Sequence, residues 1–141
     1  MTHRLTGQCH CGNITVLFET EQDPNLLQLR ACDCSFCRMQ GTRTVSDPRG
    51  RLSFSDPSKA IHRYSFATKT AESLLCRNCG VYIGALIAVE GATYGIVNVN
   101  VLDDKTPFAR EPEVMNYVHE TPAERLARRK AKWTPAEIVE G

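Results

Sequence analysis

The chain has 141 residues, of which 42% are hydrophobic and 23% charged, and its formal net charge is +1 at pH 7. This length fits one domain of ordinary size, and the composition excludes a disordered or collagen-like chain. The nearly neutral charge does not favour a nucleic-acid or membrane partner, and no apolar run approaches the roughly 18 residues of a membrane span. The first residues lack the apolar segment of a secretory signal, so we expect a cytoplasmic protein.

The first half of the chain predicts strands. Residues 13–19 alternate as a half-buried strand does, with Ile14, Val16 and Phe18 on one side. The strand candidates in this half are residues 13–19, 26–30, 51–54 and 61–66. Residues 37–51 are rich in glycine, arginine, serine and proline, and we interpret them as a loop with at most one short strand.

A β-hairpin is predicted further along the chain. Residues 81–89 and 92–101 are both β-prone, and a Glu-Gly pair separates them. In the second arm the side chains alternate, which predicts one buried face and one polar face. The first face carries Val97, Val99 and Val101, and the second carries Ile96, Asn98 and Asn100.

A helix is predicted over residues 121–133. Thr121 is suited to the N-cap, Pro122 to the first helical position, and Glu124 to a capping box. Near one face fall Ala123, Leu126, Ala127 and Trp133, and near another fall Arg125, Arg128, Arg129 and Lys132. We interpret the basic face as solvated, because no aromatic residues interleave with it to stack on bases. The class is therefore mainly β with a C-terminal helix.

The seven cysteines form three clusters, at positions 9 and 11, at 32, 34 and 37, and at 76 and 79. An odd number cannot pair completely within one chain. In a reducing compartment, clustered cysteines indicate a metal site or catalysis rather than disulfides.

The first and third clusters predict a structural zinc site. Cys9 and Cys11 are two residues apart, so on an extended strand their side chains share a face. Cys76 and Cys79 precede a glycine, and a tight turn there would bring their sulfurs together. Four thiolates suit tetrahedral Zn²⁺, which would tie the N-terminal strand to the Cys76 turn.

The second cluster predicts an open zinc site. Cys32, Cys34 and Cys37 place three ligands within six residues, and three protein ligands with a free fourth position define a catalytic zinc. The free position could bind a substrate thiol or polarise a carbonyl oxygen. Three alternatives stay open: a second structural site closed by a fourth ligand such as a histidine, free or redox thiols, and an iron–sulfur centre.

Other polar residues near the clusters have less specific interpretations. His10 would point to the opposite face from its two neighbouring cysteines, which favours a surface role. Asp33 could act in acid–base chemistry, but a hydrogen-bonded loop carboxylate is the preferred interpretation. Arg38 and Arg43 could hold an anionic substrate, and loop solvation explains them equally well.

At these motifs the sequence resembles the glutathione-dependent formaldehyde-activating enzyme family, whose domain is shared with centromere protein V. The resemblance runs from about residue 7 to 103, whereas residues 41–75 match poorly. It rests on residues 7–12 (GQCHCG), 32–38 (CDCSFCR), 76–80 (CRNCG) and 95–103 (GIVNVNVLD).

The resemblance implies a β-tent fold in a single domain, residues 1–141, with a C-terminal helical extension at about 121–133. It implies two zinc ions, a structural one at Cys9, Cys11, Cys76 and Cys79 and a more labile, catalytic one at Cys32, Cys34 and Cys37. The implied activity is that of a carbon–sulfur lyase that joins glutathione to formaldehyde, so the partners are a small thiol and an aldehyde. The rival hypothesis is a non-catalytic zinc module that binds another protein.

Overall fold

The computed structural model describes residues 1–66 and 70–141, and this part of the chain forms eleven strands and two α-helices. The strands are β1 (His3–Gln8), β2 (Thr15–Thr20), β3 (Arg30–Cys32), β4 (Thr44–Val45), β5 (Arg51–Ser55), β6 (Ile61–Tyr64), β7 (Glu72–Cys76), β8 (Tyr82–Val89), β9 (Ala92–Asn98), β10 (Glu113–Met115) and β11 (Thr134–Val139). The helices are α1 (Ser35–Gln40) and α2 (Pro122–Lys132). The prediction of a mainly β chain with a C-terminal helix is confirmed. No described helix has both the length and the apolar character that crossing a membrane requires.

The strands belong to one open, mixed sheet. Its main path runs β1-β2-β5-β11-β9-β4-β3-β10, and β8 pairs with β9 and carries β7 and then β6. The pairs β3–β10 and β5–β11 are parallel, and the other pairs are antiparallel. Strand β9 is the junction, because β8 pairs with it along its length while β11 and β4 pair with successive parts of it.

The main core lies where β2, β5, β8 and β9 meet. Among its fully buried side chains are Ile14, Phe18, Leu52, Phe54, Leu74, Ile83, Val97 and Phe108. Gly84 of β8 permits the tightest part of this packing. A Cβ there would come within 2.3 Å of the Ile96 carbonyl oxygen and 2.9 Å of the Phe54 ring, so no larger residue fits without a shift.

Three local predictions are confirmed. Strand β2 buries Val16 and Phe18, the side that the alternation indicated. The hairpin forms from β8 and β9, and its Glu90 and Gly91 have φ of 51° and 83°, as the tight turn of a two-residue hairpin requires. Helix α2 has Thr121 as its N-cap and the complete capping box with Glu124.

Other local predictions are wrong. Residues 26–30 are not a strand, since a 3₁₀ turn occupies Pro24–Leu26 and β3 begins only at Arg30. The predicted loop at 37–51 has the one short strand that the prediction allowed, β4, but it also contains most of α1. Strands β1, β7, β10 and β11 were not among the predicted strands. Strands β10 and β11 acquire strand geometry from partners that are distant in sequence, β3 for the first and β5 and β9 for the second. Strands β1 and β7 pair with strands next to them in the chain, but their patterns are short or irregular.

The second arm of the hairpin ends earlier than predicted, and its predicted polar face is not fully exposed to solvent. Strand β9 stops at Asn98, and a 3₁₀ turn follows over Val99–Val101. Asn98 is buried, and this burial is tolerated because its Nδ2 donates to the Tyr82 carbonyl oxygen at 2.9 Å. Its Oδ1 accepts from the Asn100 backbone at 3.2 Å and caps that turn.

Candidate functional site

Four cysteines from two distant loops converge on one point. Cys9 and Cys11 lie in the turn after β1, rather than on a strand as predicted, and Cys76 and Cys79 lie at the end of β7 and in the following turn. Their Sγ atoms all lie within 4.8 Å of one another. The Cys9–Cys11 and Cys11–Cys76 pairs are 3.7 and 3.6 Å apart. Sulfurs around a tetrahedral zinc are about 3.8 Å apart, so the four-cysteine group fits one Zn²⁺.

The two loops of this group are closed by the same backbone hydrogen bonds. The Cys9 N–H donates to the Ile14 carbonyl at 3.0 Å, and the Cys76 N–H donates to the Val81 carbonyl at 3.0 Å. In each loop a backbone N–H also donates to a sulfur, from Ile14 to Cys9 at 3.4 Å and from Cys79 to Cys76 at 3.5 Å. Such donors stabilise thiolate charge, which a zinc ligand must carry.

A glycine makes each of these loops possible. Gly12 and Gly80 have φ of 83° and 80°, which is the left-handed region that other residues avoid. The Gly12 N–H bonds the Cys9 carbonyl, and the Gly80 N–H bonds the Cys76 carbonyl. Two segments that are far apart in the sequence therefore form closely similar cysteine turns.

The surroundings give the thiols of the four-cysteine group different pKa values. Burial raises the pKa of Cys9 to about 11. A hydrogen bond from the Asn78 side chain, helped by the Asn13 backbone, lowers the pKa of exposed Cys11 to about 6. A coordinated thiol is deprotonated outright, so zinc binding at this group would release a proton from Cys9.

The other three cysteines form a second group at the junction of β3 and α1. Cys32 ends β3, Cys34 is the N-cap of α1, and Cys37 lies in the first turn of that helix. The Cys34 Sγ accepts a hydrogen bond from the Cys37 N–H at 3.4 Å. Their Sγ atoms lie within 4.8 Å of one another, and no histidine, carboxylate or further cysteine of residues 1–66 and 70–141 completes the group.

The thiols of this three-cysteine group also differ from one another in pKa. The Cys37 thiol hydrogen-bonds to Cys32 and lowers the pKa of Cys32 to about 6, against the effect of burial. The same interaction and burial raise the pKa of Cys37. The group therefore contains one thiol that ionises readily and one that holds its proton, and binding a cation would deprotonate the second as well.

The three-cysteine group forms part of the wall of a cavity of about 510 Å³. That volume is typical of a site for a small molecule. Much of the remaining wall is apolar or aromatic and comprises Phe66, Ala71, Tyr82, Ala85, Ile96, Val118 and Trp133. Of the poorly matching stretch 41–75, Thr44, Phe66, Thr70, Ala71 and Ser73 line the cavity, while 67–69 lie outside the described residues.

Four arginines form a charged wall of the same cavity: Arg30 from β3, and Arg125, Arg128 and Arg129 from α2. The interpretation of the basic face of α2 as solvated is therefore wrong for its three arginines, whereas Lys132 is exposed as predicted. Ala123, Leu126 and Ala127 are exposed as well, and the arginines face the cavity. Two of the guanidinium groups lie over aromatic rings, Arg128 at 3.5 Å from the centroid of Tyr117 and Arg129 at 5.3 Å from that of Trp133.

Tyr82 is the buried tyrosine among the residues that line this cavity. It is nearly fully buried, and burial together with the charges of the three cysteines raises its pKa. The hydroxyl therefore stays protonated across the physiological range and is available as a hydrogen-bond donor. The ring is fixed by an edge contact with Phe36, whose centroid lies 5.7 Å away.

The remaining predicted residues are distributed as follows. Asp33 lines the cavity as a hydrogen-bonded carboxylate, accepting from the Asn116 side chain at 3.1 Å. His10 is exposed and is not part of the four-cysteine group. Arg38 is exposed, and Arg43 donates to Asn100 and to the Phe108 carbonyl, so Arg43 ties loops together. Neither arginine is among the residues that line the cavity.

Sequence reasoning missed most of the charged and aromatic wall. One signal was available, because Arg125, Arg129 and Trp133 follow each other at intervals of four residues. That spacing places them on one helix face, and a large aromatic residue usually faces the protein interior. Nothing comparable in the local sequence marks Arg30 or Tyr82.

The chain matches the model of the glutathione-dependent formaldehyde-activating enzyme family over residues 4–120. It is also similar to a protein from Rhodobacter sphaeroides whose crystal structure is known, with 28% sequence identity and a TM-score of 0.60. That similarity covers 78% of this chain and 99% of the other. The family match includes all seven cysteines and ends just before α2.

Proposed function

The chain belongs to the glutathione-dependent formaldehyde-activating enzyme family, and we propose that it is a zinc-dependent carbon–sulfur lyase acting on an aldehyde–thiol adduct. The reaction resembles that of S-(hydroxymethyl)glutathione synthase. In the direction of addition, the thiol sulfur forms a bond to the aldehyde carbon. The thiol proton is transferred, directly or through water, to the former carbonyl oxygen, so atoms and electrons balance without an oxidant or reductant.

We further propose that Cys9, Cys11, Cys76 and Cys79 hold a structural zinc. The support is the convergence of four sulfurs at tetrahedral spacing, the burial of Cys9 and Cys76, and the complete set of donors that closes both loops. A site with four protein ligands has no position for a substrate.

Cys32, Cys34 and Cys37 are proposed as the catalytic zinc site. The single observation that carries this proposal is that these three thiols, and not the other four, line the large cavity. Zinc bound there would keep one position free, at which it lowers the pKa of a thiol or polarises an aldehyde oxygen. A binding module with a closed second site would need no such cavity, so the enzyme is preferred over the module.

The protein's own groups would position the reactants beside the three cysteines. The apolar wall around Ala85 and Ile96 would exclude bulk water from the forming bond. The protonated Tyr82 hydroxyl would donate to the oxygen that develops negative charge, and Asp33 would accept a proton or orient a water molecule.

The test measures zinc content and rate together. The purified chain is titrated with zinc against a chromophoric chelator, and the exchange between free and thiol-bound ¹³C-formaldehyde is followed by NMR with glutathione at equilibrium. We expect two zinc ions per chain, one of which exchanges readily, and a rate above that of the uncatalysed addition.

Two variants complete this experiment. C32S should keep its circular dichroism spectrum and one tight zinc, and it should lose the rate enhancement. S35A, which changes an exposed residue at the start of α1 beside the same three cysteines, should behave as wild type. A wild-type rate equal to the uncatalysed rate would contradict the proposed function and favour a zinc-binding module.

A further inference from the structure

The four arginines of the cavity are unequally neutralised. Arg128 donates two hydrogen bonds to the Glu120 carboxylate, at 2.7 and 3.0 Å, and Arg125 lies 3.6 Å from the same carboxylate. Arg30 and Arg129 instead donate to the neutral hydroxyls of Ser46 and Thr70. In the described part of the chain, neither of these two forms an ion pair with a carboxylate.

Arg129 is the arginine whose charge is least compensated. Its Nε is buried, with no hydrogen-bond partner in the described part of the chain, and its guanidinium lies 5.3 Å from the Trp133 ring centroid. Burial and repulsion by Arg128 and Arg125 lower its pKa to about 10. A buried donor without a partner is costly, and an anion that reached this half-buried guanidinium would satisfy the donor and offset the charge.

The position of this charge is informative. Arg129 and Arg30 line the same cavity as the three cysteines, so a molecule held by the arginines would have its other end beside the proposed zinc. Helix α2 begins after residue 120, where the family match ends. Three of the four guanidinium groups therefore come from outside the matched region.

Building on the proposed function, we propose that Arg129 and Arg30 form an anion subsite that selects thiols carrying a carboxylate. Guanidinium groups match carboxylates with paired, charge-assisted hydrogen bonds. The carboxylate would lie against α2 while the thiol reaches Cys32, Cys34 and Cys37. Helix α2 is then a specificity element of the site, and a neutral thiol of the same size binds weakly.

Calorimetry on the full zinc-loaded chain tests this proposal with three probes. Glutathione carries carboxylates and a thiol, its diethyl ester lacks the carboxylate charge, and S-methylglutathione lacks the free thiol. We expect the diethyl ester to bind at least about tenfold more weakly than glutathione. S-methylglutathione should also bind more tightly than the diester, because it keeps the carboxylates.

Variants of α2 separate charge from size. R129Q should weaken glutathione binding by about tenfold and leave diester binding unchanged, whereas R129K should have an intermediate effect. The matched control is K130Q, which removes a neighbouring charge that is exposed and pairs with Glu90. K130Q should change neither affinity.

Two outcomes would overturn the anion subsite. The first is equal binding of glutathione and its diester to wild type, and the second is an equal loss of affinity for both ligands in R129Q. If R129Q does not fold, the wild-type comparison alone decides. Carboxylate-dependent binding without any rate enhancement would contradict the lyase and support the subsite. Equal rates and equal affinities for both thiols would overturn the subsite and leave the lyase standing.

Discussion

The two cysteine groups of this protein place their sulfur atoms in very different surroundings. In the four-cysteine group, backbone hydrogen bonds close both loops, two cysteines are buried, and the residues that line the large cavity include none of the four. In the three-cysteine group, all the thiols are half-buried and line that cavity. The ligand type is the same, so the difference in proposed role comes from the fourth ligand and from access to the cavity.

The difference also concerns what each group connects. The four-cysteine group joins Cys11 to Cys76, which are 65 residues apart, and so ties the β1–β2 pair to the β7–β8 pair. The three-cysteine group spans only β3 and the first turn of α1. Losing the first link frees a long section of chain, whereas losing the second changes only a local arrangement.

The largest expected effect is therefore on folding. C76S should leave the chain without a cooperative thermal transition, whereas C34S should lower the Tm by only a few degrees. Structural zinc is worth about 10–16 kcal/mol in small peptides, as much as the whole stability of many domains. Serine is itself a good N-cap, so C34S keeps the cap of α1. Circular dichroism during heating checks this prediction, and equal losses in both variants would abolish the proposed distinction.

A second expected difference is in chemical reactivity. After brief treatment with a mild chelator, iodoacetamide at pH 7 should modify Cys32 first and leave the four-cysteine group unmodified. The pKa of Cys32 is lowered to about 6, because Cys37 hydrogen-bonds to it, so its thiolate is present above that pH. The rate should fall as the pH drops below about 6.

Peptide mass spectrometry locates the modified residue. Cys37 should react last, because the same hydrogen bond and burial raise its pKa. Early modification of Cys11 or Cys79 would show that the four-cysteine group also exchanges its metal readily, against the proposal.

The smallest expected effect sharpens the comparison at the level of one turn. Gly80 and Gly91 have φ of 80° and 83°, and a Cβ at either position would meet no atom within 4 Å. G80A and G91A should each cost about 1 kcal/mol of stability through backbone strain alone. Only G80A should also speed zinc loss to a chelator, because only Gly80 lies in a cysteine turn. Denaturant unfolding and chelator kinetics measure the two effects. Identical chelator kinetics in G80A and G91A would show that the Gly80 turn does not influence zinc retention.

The features that could be predicted from the sequence differ between the fold and the site. The β2 strand, the β8–β9 hairpin and the capping box of α2 were predictable, because each depends on side chains within a few residues of each other. The grouping of the cysteines followed from ligand spacing and family resemblance, and the structure places them in the same two groups. The assignment of structural and catalytic zinc to these groups stays a prediction, as do the β-tent fold and the single domain.

The charged wall could not be predicted in the same way. Arg30 and Arg129 line the same cavity although they lie in β3 and α2, which are far apart in the sequence. Judged locally, a basic helix face is a solvated face, and that interpretation is wrong here. Polarity alone does not decide burial when a cavity can supply the environment for a charge.

By itself, the sequence of this protein determined which groups could bind a metal and where its sharp turns lie. Ligand number, ligand spacing and glycine at left-handed positions are short-range properties, limited by covalent geometry and steric repulsion. Only the tertiary structure decided which cysteine group opens onto a cavity and which side chains complete its wall. Those features depend on contacts between segments far apart in the chain, and such contacts are selected by packing and burial over the whole molecule.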